Sequence, residues 1–162
     1  MGLTTDPDTA VPYRIHRDPR VLGTVLVGGA LGTGARYGLG SAFPTPDGTW
    51  PWTIFTVNLL GAFALGLLLD ALARSGVDEG WRRTVRVGVG TGVLGGFTTY
   101  STFAVEVDQL VRGGHLALAA GYAVASVVLG TLAATLGAAL AGVMADRRRR
   151  PSPATSDEGA RS

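Results

Sequence analysis

Apolar residues gather along this chain in four long runs separated by short polar links. The first extends from about Val21 to Phe43, with Arg36 near its far end. The second, from about Thr49 to Leu69, carries no charge and closes at Asp70. The third extends from about Val87 to Val105 and closes at Glu106 and Asp108. The fourth covers Leu116 to Ala145, thirty residues without a charge. About 20 apolar residues cross the hydrocarbon core of a bilayer as a helix, so runs two to four meet the length readily. The first requires Arg36 to sit near an interface or to be paired inside the protein. The pattern predicts an all-α membrane protein with four transmembrane helices. Residues 1–20 contain Asp6, Pro7, Asp8 and Pro12 and no apolar stretch, so they are expected to form a cytoplasmic segment and not a signal peptide. Residues 21–145 form the four-helix domain, and residues 146–162 read as a basic, then disordered tail. The link from Pro44 to Trp52 reads as a tight turn whose Trp50 and Trp52 suit an interfacial belt.

The third run departs from a plain lipid-facing helix. Its stretch Gly92-Val-Leu-Gly-Gly-Phe-Thr-Thr-Tyr-Ser-Thr-Phe103 opens on glycines, carries Thr98, Thr99, Ser101 and Thr102 around Tyr100, and ends on an aromatic. Polar groups and weakened helix at membrane depth are tolerated where they are buried in protein or line a polar path. Five glycines lie between Gly88 and Gly96. Each costs a helix interior about 1 kcal/mol against Ala, so the cluster predicts a helix that is broken or closely approached. Pairs spaced by four, Gly28/Gly32, Gly34/Gly38, Gly88/Gly92 and Gly92/Gly96, are candidates for close helix–helix contact, although 25 glycines supply some such pairs by composition alone.

Polar residues inside the runs narrow the chemistry. Asn58, in Thr-Val-Asn-Leu-Leu-Gly61, offers two donors and one acceptor in the middle of the second run. It faces either a polar path or a neighbouring helix, where it would act as an interhelical hydrogen bond. Tyr100 and Phe103 are three apart and share a helical face. The hydroxyls beside them either line that face or bond back to their own helix. Ser126, four residues after Tyr122, adds a hydroxyl to the fourth run. There is no Cys, no carboxylate or His cluster with metal-ligand spacing, no nucleophile–base pair and no phosphate loop, so an enzyme is not expected. All 14 basic residues are Arg, but net charge is only +2 and they lie between apolar runs, which disfavours nucleic-acid binding. A proton-coupled carrier would carry a deep acid, and none of the runs has one.

Three motifs together resemble the small bacterial fluoride channels, the Fluc or CrcB family. They are Gly28-Gly-Ala-Leu-Gly-Thr-Gly-Ala-Arg36-Tyr, Thr53-Ile-Phe-Thr-Val-Asn58-Leu-Leu-Gly61-Ala-Phe-Ala-Leu-Gly66, and Gly92-Val-Leu-Gly95-Gly-Phe-Thr98-Thr-Tyr-Ser-Thr-Phe103-Ala-Val-Glu106. The resemblance covers about residues 21–145. It implies an antiparallel, dual-topology-type dimer of four-helix subunits, with two narrow fluoride paths, a structural sodium ion at the dimer centre, and a third helix broken mid-membrane. It implies that the backbone carbonyls of Gly95 and Thr98 hold the sodium, a hard cation suited to carbonyls freed by a break. Asn58 is expected to donate its amide to fluoride. Phe103 is expected to present the positive edge of its ring to the anion. Ser126 is expected to supply a hydroxyl from the fourth helix, so that neutral donors replace the water fluoride sheds. Tyr100 stands where the family has the first of two phenylalanines, and it either keeps a ring edge in the path or alters the path by hydrogen bonding. The implied function is a fluoride-selective channel that passively exports the ion from the cytoplasm and lowers its toxicity. A small multidrug exporter, also four short helices, would need an acid in the first run, and none lies between Val21 and Phe43. A non-conducting assembly subunit of a heterodimeric channel remains the other alternative, on the strength of Tyr100.

Arg placement sets the orientation. With four spans, the N-terminus, the link between runs two and three and the C-terminus share one side. That side holds Arg14, Arg17, Arg20, Arg74, Arg82, Arg83, Arg86 and Arg147 to Arg150, plus Arg161 in the tail, against Arg112 and Arg36 elsewhere. The positive-inside rule therefore places both termini in the cytoplasm of an inner (plasma) membrane protein surrounded by lipid. A bias this strong opposes insertion in both orientations, so an antiparallel dimer is expected to pair this chain with a homologous subunit of opposite bias, a homodimer being the alternative. Reporter fusions at the C-terminus are expected to give a single cytoplasmic location; a mixed population would contradict the assignment.

Overall fold

The computed structural model describes residues 19–149, with side chains to residue 147. Most of the expected N-terminal segment and nearly all of the expected tail lie outside the described residues. Every regular element among the described residues is helical. Helix α1 covers Pro19–Ala42 and α2 covers Trp52–Ser75. Helix α3, Gly80–Val85, leads into the third apolar run and continues without interruption through a π-wound stretch, Arg86–Leu94, into the short α4, Gly95–Phe97. After two extended residues comes α5, Tyr100–Arg112, and α6 covers Leu116–Arg149. Both α2 and α6 are long and apolar enough to cross a membrane, with mean hydropathy of 1.9 and 2.0. At about 1.5 Å per residue, α2 spans about 36 Å.

The bundle is two packed pairs. The first pair is α2 against α6, with α5 laid on α6; the second is α1 against the π-wound stretch and α4. Both contacts are backbone on backbone. A Cβ on Gly137 would collide with the Phe63 carbonyl oxygen of α2, and one on Gly66 with the Ala134 carbonyl of α6. On the other pair, Gly28 and Gly32 of α1 face Gly88, Gly92 and Val93, and Gly96 faces Gly29. Three of the four sequence-spaced glycine pairs thus contribute to this second seam. Gly34 and Gly38 do not: nothing lies within 4 Å of either, and both are exposed. Spacing alone does not say which face of α1 the partner occupies.

The π winding is a feature that periodicity does not reveal. Its sequence, Arg86-Val-Gly-Val-Gly-Thr-Gly-Val-Leu94, has a glycine at every second position for three repeats. With so weak an α preference, the stretch adopts the wider turn, and the Gly95 amide reaches back five residues to Gly90. Outside the spans, Asp78 pairs with Arg86 at 2.6 Å, and the hydrogen bond from that guanidinium holds the Asp78 carboxyl below its ordinary range.

Side-chain burial concentrates at one end. Phe55, Leu110, Ala119 and Tyr122 form a buried cluster, with Trp50, Phe103 and Val107 packed against it. Trp50 meets Phe55 and Tyr122 edge-to-face, with centroids 5.4 and 5.5 Å away. Trp52 is exposed, whereas Trp50 is half-buried and packs inward against this cluster. Gly32→Ala is expected to cost about 1–3 kcal/mol, because its Cβ meets the Val93 oxygen and the Phe97 amide and neither can step aside. Gly34→Ala, two residues away in open space, is expected to stay within about 0.5 kcal/mol of the parent. Thermal melts of the two variants in detergent check the contrast.

Candidate functional site

The site begins where the third run stops being a helix. Thr98 (φ −78°, ψ 157°) and Thr99 (φ −149°, ψ 126°) are extended, and α5 restarts at Tyr100. Local chemistry favours this interruption. The Thr98 hydroxyl and amide both donate to the Leu94 carbonyl at 2.9 Å, closing the last turn of α4. The Thr99 hydroxyl accepts from the Thr102 amide at 3.1 Å, an N-cap on the first turn of α5. Thr99 Oγ1 also lies 3.1 Å from Ser101 Oγ and 3.2 Å from Thr102 Oγ1, so the hydroxyls form a local cluster around the restart.

Asn58 of α2 holds the interruption from outside. Its Nδ2 donates to the Thr99 carbonyl at 3.1 Å, and its Oδ1 accepts from the Thr99 amide at 2.9 Å. One side-chain amide thus satisfies both backbone groups of a residue that has left the helix. Gly61, three residues on, leaves room for the Thr98 methyl, which a Cβ at that position would strike. The interhelical hydrogen bond and the polar-path reading of Asn58 coexist: the second N–H of its amide is not needed for this pairing.

The carbonyls of Gly95 and Thr98 are among those that lose their helical partners in consequence. In a continuous helix Gly95 would accept the amide of Thr99, which is instead donated to Asn58. Thr98 would accept the amide of Thr102, which is instead donated to the Thr99 hydroxyl. The oxygens of Gly95 and Thr98 are therefore released from α-helical bonding within one short segment. Neutral carbonyl oxygens suit a hard cation, so this chain's donor set fits a sodium ion.

All six residues singled out from sequence, Asn58, Gly95, Thr98, Tyr100, Phe103 and Ser126, line one open groove of about 480 Å³. Its walls come from α2, the π-wound stretch, α4, α5 and α6, and no charged side chain lines it. Tyr100 is 81% exposed and stands 5.9 Å from Phe103, ring centroid to centroid, at 42°. The Ser126 Oγ is buried with no hydrogen-bond partner, an unspent donor at the groove wall.

Sequence reasoning left Glu106 and Tyr122 outside the site. Glu106 lies in the middle of α5, not at a helix end, and accepts from the Tyr122 hydroxyl at 2.6 Å. The Tyr122 ring is fully buried against Phe103, centroids 5.2 Å apart. Glu106 also borders a second, polar recess of about 520 Å³ with Asp47, Gln109 and His115. A line of contacts, Phe103 to Tyr122 to Glu106, thus joins groove to recess. The available signal was helical spacing: Glu106 is three residues after Phe103, and Tyr122 is four before Ser126.

The family described as "CrcB-like protein, Camphor Resistance (CrcB)" matches residues 23–138 of this chain. Similar proteins include the fluoride-specific ion channel FluC 2 of Leifsonia xyli subsp. xyli, 46% identical over 84% of this chain and 93% of the relative. The fluoride-specific ion channel FluC 1 of Cutibacterium acnes is 43% identical over 74% of this chain and 84% of the relative. The fluoride-specific ion channel FluC 1 of Mycobacterium bovis is 44% identical over 77% and 92%. The match covers every element that lines the groove and most of α1, which packs behind it, and the chain belongs to the CrcB-like family of membrane proteins.

Proposed function

We propose that this chain is a subunit of a fluoride-selective channel that lets the ion leave the cytoplasm down its gradient, lowering its toxicity. The observation that carries the reading is the make-up of the groove. It offers an amide N–H from Asn58, an orphan buried hydroxyl from Ser126 and the rings of Tyr100 and Phe103, with no charge among its lining residues. Fluoride is small and strongly hydrated, so a path must replace its water with donors. Neutral donors and ring edges do this without the deep well that an Arg or Lys would create. The names of the similar proteins agree with the reading.

The groove is open on one side and the released Gly95 and Thr98 carbonyls come from a single chain. Both features are those of half a site, completed by a second subunit in antiparallel orientation. In that arrangement the interruption at Thr98 and Thr99 lies mid-membrane and the carbonyls of both subunits surround a structural sodium ion, which supplies a fixed positive charge near the anion paths. The Arg bias favours a homologous partner of opposite orientation over a homodimer, with the termini of this chain in the cytoplasm of the inner membrane. Tyr100 supports a second reading, a non-conducting assembly subunit in which its exposed phenol replaces an apolar ring in the path.

A fluoride-sensitivity rescue assay separates the two. Asn58→Asp, which cannot donate to Thr99 and adds a charge, and Phe103→Ile, which removes the ring, are each expected to lower rescue by about tenfold or more, the scale of one buried polar group left unpaired. Rescue that neither variant changes would favour the assembly role. Replacing sodium by choline is expected to lower the melting temperature of the purified dimer, because an ion bound only to the folded state stabilises it by mass action. A melting temperature independent of sodium would contradict the cation site.

A further inference from the structure

Arg36 is a charged side chain within the first apolar run, and the groove does not include it. A guanidinium at membrane depth is costly unless it is paired. Its Nε donates to a backbone oxygen, the Gly96 carbonyl, at 3.3 Å. The hydroxyl of Thr33, three residues earlier on the same face of α1, donates to the same oxygen, also at 3.3 Å. In an unbroken helix that carbonyl would accept the amide of Tyr100, but the extended Thr98 and Thr99 intervene. Gly96 is also a point of tight backbone approach between α1 and α4: a Cβ there would fall 2.5 Å from the Gly29 oxygen.

The charge fits the place. Helical geometry is continuous from Gly80 to Phe97, so its aligned peptide dipoles present their negative end at the interruption. A cation at that end is favourable, the more so away from water. The four consecutive carbonyls of Gly95 to Thr98 lose their α-helical partners at this terminus. Arg36 and Thr33 take that of Gly96.

We infer that Arg36 is a positioning residue for the interrupted third helix. By pinning the Gly96 carbonyl to α1, with Thr33 as second donor, it fixes the terminus of α4. The oxygens of Gly95 and Thr98 stay unengaged on either side, and Thr99 is held in reach of Asn58. Arg36 touches no ion; it acts through the backbone. Its effect on transport rests on the channel reading above, whereas its effect on the backbone does not.

Hydrogen exchange of the full chain in lipid nanodiscs, read by mass spectrometry over residues 94–103, tests the inference beside fluoride efflux from vesicles. Arg36→Gln is expected to speed exchange at Thr98 to Thr102 by about tenfold or more, the scale of a lost charged hydrogen bond, with α6 amides at parent rates and efflux reduced to match. Arg36→Lys, which keeps the cation but not the planar fork, is expected to fall between parent and Arg36→Gln in both measurements. Thr33→Val removes one neutral donor and keeps the charge; it is expected to speed exchange by about threefold at the same amides, and it decides the matter should Arg36→Gln fail to fold. Parent-like protection at the interruption, or faster exchange spread evenly over all helices, would overturn the inference. A parent chain that moves no fluoride would count against the channel reading alone, since the exchange pattern still reports whether Arg36 anchors the backbone.

Discussion

The pairing of the Asn58 side-chain amide with both backbone groups of Thr99 is the interaction on which the rest of the site depends. A backbone that leaves helical geometry within lipid exposes donors and acceptors that no water can satisfy, at several kcal/mol for each group. Here a single residue of α2 supplies complementary partners for both. The pairing diverts the amide that Gly95 would otherwise receive, and the cap on Thr102 does the same for Thr98. The released carbonyls follow from how the interruption is made tolerable, with no separate device to create them. Local hydroxyls close the helix ends, Asn58 closes the gap, and the acceptors left over are those with which the chain can do chemistry.

The scaffold around this pairing relies little on a side-chain core. Among the described residues the buried aromatic cluster lies at one end of the bundle, around Tyr122 and Phe55, while Leu72 is buried near the other end of α2. Elsewhere cohesion comes from glycine seams that bring backbones together, as expected where lipid removes the hydrophobic drive for helices to associate. Many large apolar residues of α1 and α6, Leu26, Leu31, Val127 and Leu136 among them, face outward, toward lipid or another subunit. A chain held this way keeps close backbone seams inside and an open groove outside.

Much of this architecture was legible in the order of residues. The four apolar runs correspond to α1, α2, the interrupted third run and α6, and the glycine and hydroxyl cluster between Gly88 and Phe103 marked the segment that is neither uniformly α-helical nor continuous. Asn58, Thr98, Tyr100, Phe103 and Ser126 stood out as polar or aromatic residues in an apolar setting, whereas Gly95 was singled out only through the family resemblance. Three things were not legible, for physical reasons. The π winding leaves no trace in apolar spacing, since glycines carry no side chain to mark a face. The pairing of Tyr122 with Glu106 joins two helices whose relative rotation no single chain pattern encodes. Which of Trp50 and Trp52 packs inward was not readable, because only the position of Phe55 and Tyr122 decides it.

The π-wound stretch makes the number of residues in the third run part of the site. Each residue turns an α-helix by about 100°, so losing one between Arg86 and Leu94 would swing α4, the interruption and α5 together around the axis. Thr99 would turn away from Asn58, and Gly96 from Arg36. A substitution within the stretch meets its nearest neighbours, α1 at Gly88 and Gly92 above all, but a change of length is communicated to every donor and acceptor downstream. The segment acts as a phase setting: its glycines permit the winding, and its count decides where that winding delivers the chain.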